Sequence, residues 1–73
     1  MTLYQFWKRY LRERARNIVV KQIYIEKGEL LEKKLFEGNS SNIPDTLADL
    51  NVIATTFEDE DGIIMTIKVK EGE

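Results

Sequence analysis

The fold is decided by the stretch NVIATTFEDEDGIIMTIKVK, residues 51–70, which contains two apolar runs separated by an acidic turn. The runs, 52–57 and 63–69, are rich in β-branched residues, and the turn 58–62 ends in Gly62. β-branched side chains suit a pleated strand, and a short glycine-containing turn between two such runs is typical of a β-hairpin. The stretch therefore predicts a hairpin, and the rest of the chain is expected to pack against it.

The turn also predicts the register of this hairpin. If Gly62 takes the left-handed position of a three-residue loop, Asp59 faces Ile63. A shift by one residue would exchange the two faces of both strands, so the register is a testable statement. The cross-strand pairs expected are Phe57 with Met65, Thr55 with Ile67, and Ile53 with Val69. The face turned to the core would carry Ile53, Phe57, Ile63, Met65, Ile67 and Val69, and the opposite face Thr56, Thr66, Lys68 and Lys70.

The composition is that of one small globular domain, residues 1–73. The chain is 42% hydrophobic and 33% charged, which is too apolar for a disordered protein. A chain of this length buries only about 60–65% of its unfolded surface, so self-association would be a natural source of further stability. No apolar run reaches the roughly 18–20 residues that cross a bilayer, and we expect a cytoplasmic protein.

An amphipathic helix is predicted from about Thr2 to about Arg16. Its apolar residues recur at the spacing of one helical face, and cationic residues lie between them. Thr2 is a suitable N-cap, with Gln5 able to complete a capping box, and Asn17 is a reasonable stop.

The next stretch, 18–26, is dense in β-branched and aromatic residues and predicts a strand. Lys27 and Gly28 form a turn signal, because glycine accepts a positive φ without steric cost. Residues 29–37 are compatible with either a helix or a strand. The short length and the preceding turn favour a strand that pairs back on the first one, ending at Gly38.

A loop is predicted for residues 38–42, followed by a short helix at Ile43–Leu50. Pro44 suits the first turn of this helix, and Asn51 can end it in a left-handed conformation. The order of elements is therefore N-terminal helix, hairpin, short helix, hairpin. This order predicts an α+β domain with a mostly antiparallel four-stranded sheet, covered on one face by the N-terminal helix. Residues 71–73 are expected to be frayed.

The residue types argue against an enzyme. Histidine and cysteine are both absent, which excludes the Ser-His-Asp triad, thiolate nucleophiles, and metal sites built on imidazole or thiolate. A domain of this size has difficulty enclosing the roughly 300 Å³ that a small-molecule site needs. The acidic turn 58–62 lacks the spacing of a Ca²⁺ loop, because Lys68 stands where the final glutamate belongs. We expect no catalytic residue, cofactor, metal or small-molecule substrate.

The N-terminal helix is the best candidate for a binding function. Residues 1–17 carry five cations against one acid, a net charge of +4, whereas residues 18–73 carry −6. The apolar face could cover the domain's own sheet, dock on a protein partner or a second copy, or lie on an anionic membrane surface. The candidate partner-binding residues are Phe6, Trp7, Tyr10 and Leu11. The alternative is a nucleic-acid contact through Lys8, Arg9, Arg12 and Arg16, which the acidic body disfavours.

One resemblance covers residues 30–69. The strand ending in Leu35–Gly38, the turn and short helix Ile43–Asp49, and the closing segments 52–53 and 62–67 resemble small uncharacterised proteins of Gram-positive phages and mobile elements. Those proteins similarly combine a strand ending in Glu-Gly, an Ile-Pro-acidic turn and a final hairpin. The resemblance implies an origin in such elements, and it carries over no activity and no site residue.

Overall fold

A computed structural model describes residues 1–71. The chain begins with a helical turn, Leu3–Phe6 (α1), continued by a π-helical turn, Trp7–Leu11. Two strands follow, Asn17–Glu26 (β1) and Glu29–Asn39 (β2), and then two 3₁₀ turns, Ser40–Asn42 and Asp45–Leu47. The last two strands are Asn51–Phe57 (β3) and Met65–Lys70 (β4). The expectation of a frayed end falls mainly on Gly72 and Glu73, which lie outside the described residues.

The four strands form one sheet in the order β2-β1-β4-β3. β1 pairs antiparallel with β2, and β3 pairs antiparallel with β4, as the two predicted hairpins require. The two hairpins join through β1 and β4, which run parallel. The α+β class and the four-stranded sheet are therefore confirmed, and the sheet is mixed because the joining pair is parallel.

The first hairpin settles the open choice for residues 29–37 in favour of a strand. Lys27 and Gly28 have φ of 53° and 80°, the pair of positive values that a tight two-residue hairpin turn needs. The strand does not end at Gly38 but continues to Asn39. A β-bulge interrupts the pairing of the two strands beside Val20.

The register of the second hairpin is confirmed near its turn and wrong at its far end. Phe57 faces Met65, and Thr55 faces Ile67, but Phe57 lies at the sheet edge and is 50% exposed, contrary to its predicted place in the core. A bulge between Val52 and Ala54 then places Val52, rather than Ile53, opposite Val69. Because of this bulge Ile53 leaves the ladder and is 47% exposed, contrary to its predicted place in the core.

The loop between β3 and β4 is longer than the predicted three residues. Gly62 has φ of 64°, as expected, and its N–H donates to the Asp59 carbonyl oxygen at 3.2 Å. The Asp59 carboxylate accepts the backbone N–H groups of Ile63 and Ile64 at 2.9 and 3.1 Å. These bonds replace ladder pairing, so Ile63 lies in the loop and is 61% exposed instead of facing the core.

The N-terminal helix begins as predicted and ends early. Thr2 Oγ1 accepts the Gln5 N–H at 3.2 Å, and Gln5 Oε1 accepts the Thr2 N–H at 2.9 Å, which completes the capping box. The last helical residue is Leu11, not Arg16. The backbone of Arg16 is instead bonded to Ser40, through its N–H to Oγ at 3.0 Å and its carbonyl from the Ser40 N–H at 2.8 Å. These bonds draw the chain down to the start of β1.

The helix predicted for Ile43–Leu50 is only the 3₁₀ turn Asp45–Leu47. Pro44 precedes this turn as its N-cap residue, and Asn51 begins β3 with no left-handed conformation, contrary to its predicted role. The segment lies beside α1, where Leu50 and Ala48 carbonyls accept the first helical N–H groups at 2.7 and 3.1 Å. Inside the segment the bonds span three residues instead of four, from the N–H groups of Leu47, Ala48 and Leu50 to the carbonyls of Pro44, Asp45 and Leu47.

One apolar core lies between the sheet and the helix. Its buried side chains come from the helix and from the two central strands: Leu3, Phe6, Leu11, Ile18, Val20, Ile67 and Val69. The 3₁₀ segments add partly buried side chains to the same side of the sheet. The prediction that the N-terminal helix covers one face of the sheet agrees with this arrangement. The molecule measures 39 × 31 × 16 Å, the thickness expected of one sheet with one covering layer.

Candidate interaction surfaces

The four residues proposed for partner binding do not share one surface. Phe6 and Leu11 are 9% and 2% exposed and belong to the core. Trp7 is half-buried against that core, whereas Tyr10 is 53% exposed. The Tyr10 ring still contacts Phe6, with 4.9 Å between centroids. The helix therefore offers a partner the two aromatic rings at the margin of its buried face.

A shallow groove runs beside Trp7, on the side of the helix that faces the 3₁₀ segments. Tyr4 and Trp7 stack with 6.2 Å between ring centroids and form one wall, while Ser41 and Pro44 contribute to the other. The cavity volume is about 60 Å³, room for a few water molecules and well below the roughly 300 Å³ of a usual small-molecule site.

Three of the four cations proposed for nucleic acid lie together. Lys8, Arg9 and Arg12 surround an open depression on the outer side of the helix, with Met1 and Gln5 between them. All three cations are exposed, and within residues 1–71 no carboxylate forms a salt bridge with them. This depression is the most cationic surface that the helix presents.

Arg16 is separate from that cluster and has a structural role. Its guanidinium lies over the Phe57 ring, 5.0 Å from the centroid, and donates to the Ile63 carbonyl oxygen at 2.9 Å. Its Nε is buried and makes no hydrogen bond within the described part of the chain. The side chain thus ties the start of β1 to the β3–β4 loop and is not available beside Arg12.

The sheet face opposite the core carries a chain of ion pairs. We call this surface the open face, because the helix and the 3₁₀ segments pack on the other side. Glu58 bonds Lys21 at 3.1 Å and Lys68 at 3.3 Å, and Lys68 also lies 3.7 Å from Glu32. The hydrogen bond from Lys21, followed by that from Lys68, lowers the pKa of Glu58 below its ordinary value.

The acidic turn satisfies its own backbone. The N–H of Ile63, and then that of Ile64, stabilise the charged form of Asp59 and lower its pKa. The neighbouring Glu58 points to the lysines of the open face. Within residues 1–71, no three acidic side chains cluster in a way that could hold a metal ion.

The most exposed aliphatic side chains lie where the first hairpin extends past the rest of the sheet. β1 pairs with β4 only as far as Gln22, but it pairs with β2 as far as Glu26. Ile25 and Leu30 face each other in this extension and are 74% and 69% exposed. We call the paired residues 23–26 and 29–32 the hairpin tip. Tyr24, facing Leu31, is 37% exposed on the core side of the tip.

Sequence reasoning missed the hairpin tip, although one signal for it was present. The first two strands span 10 and 11 residues, whereas β3 and β4 span 7 and 6. Longer strands beside shorter ones must project from the sheet, and their terminal side chains then lack neighbours on both faces. Comparing the lengths of the predicted strands would have pointed to Ile25 and Leu30.

The chain matches no protein-family model, and searches of curated proteins and of solved structures find no match to it either. No helix within residues 1–71 is long and apolar enough to span a membrane.

Proposed function

We propose that this chain is a small non-catalytic interaction or assembly module, and that the hairpin tip is its principal contact surface. The observation that carries the proposal is the exposure of Ile25 and Leu30, two large aliphatic residues directly opposite each other on a projecting hairpin. Burying each of them would contribute about 1.5–3 kcal/mol. The chain has few core residues, and this free energy is not gained in the isolated fold because both side chains are exposed. A contact with another molecule would bury them and gain it.

The surroundings of the tip support the same function. Glu32 lies on the same face as the aliphatic pair, two residues along β2 from Leu30, and the closing pair Glu26 and Glu29 carries charge on the other face of the tip. Charged residues beside an apolar centre are typical of the rim of a protein contact. Tyr4, Trp7 and Tyr10 provide a second, aromatic area on the helix. Aromatic residues are enriched in interface centres, and a partner that reached around the sheet would meet them.

Site-specific photo-crosslinking tests the module. A photoreactive amino acid at Leu30 is expected to give discrete adducts, with a second copy or with another protein, that disappear when Ile25 is changed to Thr. The Ile25→Thr change keeps a β-branched side chain, so the strand itself is preserved. The matched control places the photoreactive group at Ile63, an aliphatic site in the β3–β4 loop that is 61% exposed, against 69% for Leu30. Absence of adducts at Leu30, or adducts unaffected by Ile25→Thr, would contradict the proposal.

A second candidate function is a nucleic-acid-binding accessory protein. The supporting observation is the grouping of Lys8, Arg9 and Arg12 around one open depression. Each phosphate contact made by such a cation releases condensed counterions, so affinity should fall steeply as salt rises. Arg16 is not part of this candidate surface, because it is bonded to the β3–β4 loop.

Fluorescence anisotropy with labelled DNA and RNA at two salt concentrations tests this second function. The triple variant Lys8→Gln, Arg9→Gln, Arg12→Gln should lose binding. A control that removes the same charge elsewhere, Lys27→Gln, Lys33→Gln, Lys34→Gln, should keep it. Equal loss in both variants would show that only net charge matters, and no binding at low salt would exclude the function.

We propose a phage or mobile-element origin and a cytoplasmic location for the module. The support for the origin is the resemblance over residues 30–69. The support for the location is the composition of the chain, which has no cysteine and no long apolar run.

A further inference from the structure

We infer that the hairpin tip pairs with the tip of a second copy, β2 against β2 in antiparallel orientation, with the two-fold axis at Leu31. This inference rests on the proposed function and names the partner of the same surface. β2 is an edge strand of 11 residues, and an edge strand presents unpaired backbone groups to another strand. The opposite edge, β3, is partly occupied, because the Val52 N–H donates to the Met1 carbonyl oxygen at 2.8 Å.

The hairpin turn determines which backbone groups point outward. In a two-residue turn, the closing pair Glu26 and Glu29 exchange their backbone bonds with each other. The N–H and C=O groups of Leu30 and Glu32 are therefore directed to the free edge. With the axis at Leu31, Leu30 of one copy meets Glu32 of the other in two hydrogen-bonded pairs, and Leu31 meets its own copy in the closer, non-hydrogen-bonded pair.

The charges on β2 select this register. With the axis at Leu31, Glu29 of each copy faces Lys33 of the other, which gives two pairs of opposite charge beside a central leucine pair. An axis at Leu30 would set Glu29 against Leu31 and form no pair of opposite charge within the strand. An axis at Glu32 would place two glutamates face to face, and an axis at Lys33 would place two lysines face to face. Like charges directly opposite each other destabilise a strand pair, whereas opposite charges stabilise it.

The same register also joins the exposed aliphatic residues of the two copies. Leu30 lies diagonal to its counterpart on the open face, within reach of long side chains, and its neighbour Ile25 extends the apolar surface on each side. Glu32 is the acid nearest this contact, and Lys68 lies 3.7 Å from it within its own chain. Pairing ends before the bulge beside Val20, where the β2 edge loses its regular spacing.

Charge exchange tests the pairing. In sedimentation velocity at increasing concentration, the unmodified chain should shift toward twice its mass. Glu29→Lys alone places lysine against Lys33, and Lys33→Glu alone places glutamate against Glu29, so each variant should stay monomeric. An equimolar mixture of the two restores both opposite-charge pairs and should dimerise. Dimerisation of either single variant at the strength of the unmodified chain, or a mixture that stays monomeric, would overturn the inference.

Disulfide trapping tests the register independently. The chain has no cysteine, so a single Leu31→Cys substitution should give a disulfide-linked dimer on mild oxidation, because a non-hydrogen-bonded pair brings the two Cα atoms within disulfide range. Ile63→Cys should not crosslink. Crosslinking of Lys33→Cys in preference to Leu31→Cys would show a different register and overturn the assignment. An unmodified chain that stays monomeric, while Leu30 photo-crosslinks to a different protein, would overturn self-pairing and leave the proposed function intact.

Discussion

Asp59 organises the β3–β4 loop through its side chain. Its carboxylate accepts two successive backbone N–H groups that have no ladder partner, those of Ile63 and Ile64. Arg16 reaches the same loop and donates to the Ile63 carbonyl oxygen. The Asp59 bonds are local, and the sequence had placed Asp59 opposite Ile63 but not as the acceptor of two N–H groups. The Arg16 contact spans 47 residues, and the sequence alone showed Arg16 only as a helix cation.

The substitution Asp59→Asn should make the free energy of unfolding depend less on pH in the acidic range. The folded-state pKa of Asp59 lies below its ordinary value of 3.8. The contribution of the Asp59 carboxylate to folding stability is therefore fully present above pH 3.8. It is lost as the pH falls through the lower pKa of the folded state. Urea unfolding midpoints measured from neutral to acidic pH should fall less steeply for Asp59→Asn than for the unmodified chain.

The control for this experiment is Asp61→Asn, which changes the same charge at an exposed position of the same turn. Its acid profile should follow that of the unmodified chain. If Asp61→Asn flattens the profile as much as Asp59→Asn does, the effect belongs to the net charge of the turn, and the two backbone bonds have no special role.

The two hairpins and the start of the N-terminal helix were predictable from local pattern, whereas the end of that helix and the extent of the second helix were not. The β-branched runs and the turn glycines predicted both hairpins, since strand period and positive φ are local properties. The N-terminal helix stops at Leu11 because Ser40, distant in sequence, binds the backbone of Arg16. The bulge that displaces Ile53 and the parallel contact between β1 and β4 likewise depend on how the two hairpins meet.

Gly38 is a strand residue that sequence reasoning treated as a stop. Its φ is +150°, and a Cβ placed there would lie 3.4 Å from the Phe36 ring. Gly38→Ala should therefore destabilise the fold by about 1–3 kcal/mol, the usual cost of a non-glycine residue in such a conformation. Denaturant unfolding measures the change.

Gly62→Ala is the comparison for this variant. Gly62 also has a positive φ, 64°, but no atom lies within 4 Å of the position of an added Cβ. The stability lost in Gly62→Ala should be smaller, about 1–2 kcal/mol, the usual cost of a single non-glycine residue in the left-handed conformation. A loss at Gly38 no greater than that at Gly62 would contradict the larger cost assigned to a φ of +150°.

At the scale of the whole molecule, the helix covers the core, and the first hairpin extends beyond that core. The amphipathic pattern predicted a helix over the sheet but could not say which aromatic side chains it buries. That outcome depends on where the helix crosses the strands. Phe6 is buried, while Tyr10, one turn further on, is exposed. The candidate contact surface was missed for a related reason, because strand projection is a property of the assembled sheet.

The chain covers its core with its own helix and leaves the hairpin tip exposed. Paramagnetic relaxation of methyl groups by a soluble gadolinium probe, measured on the dilute protein, tests both halves together. We expect weak relaxation of Leu3 and Leu11, which are 1% and 2% exposed, and strong relaxation of Ile25 and Leu30. Relaxation of Leu3 and Leu11 as strong as that of Ile25 would contradict this arrangement.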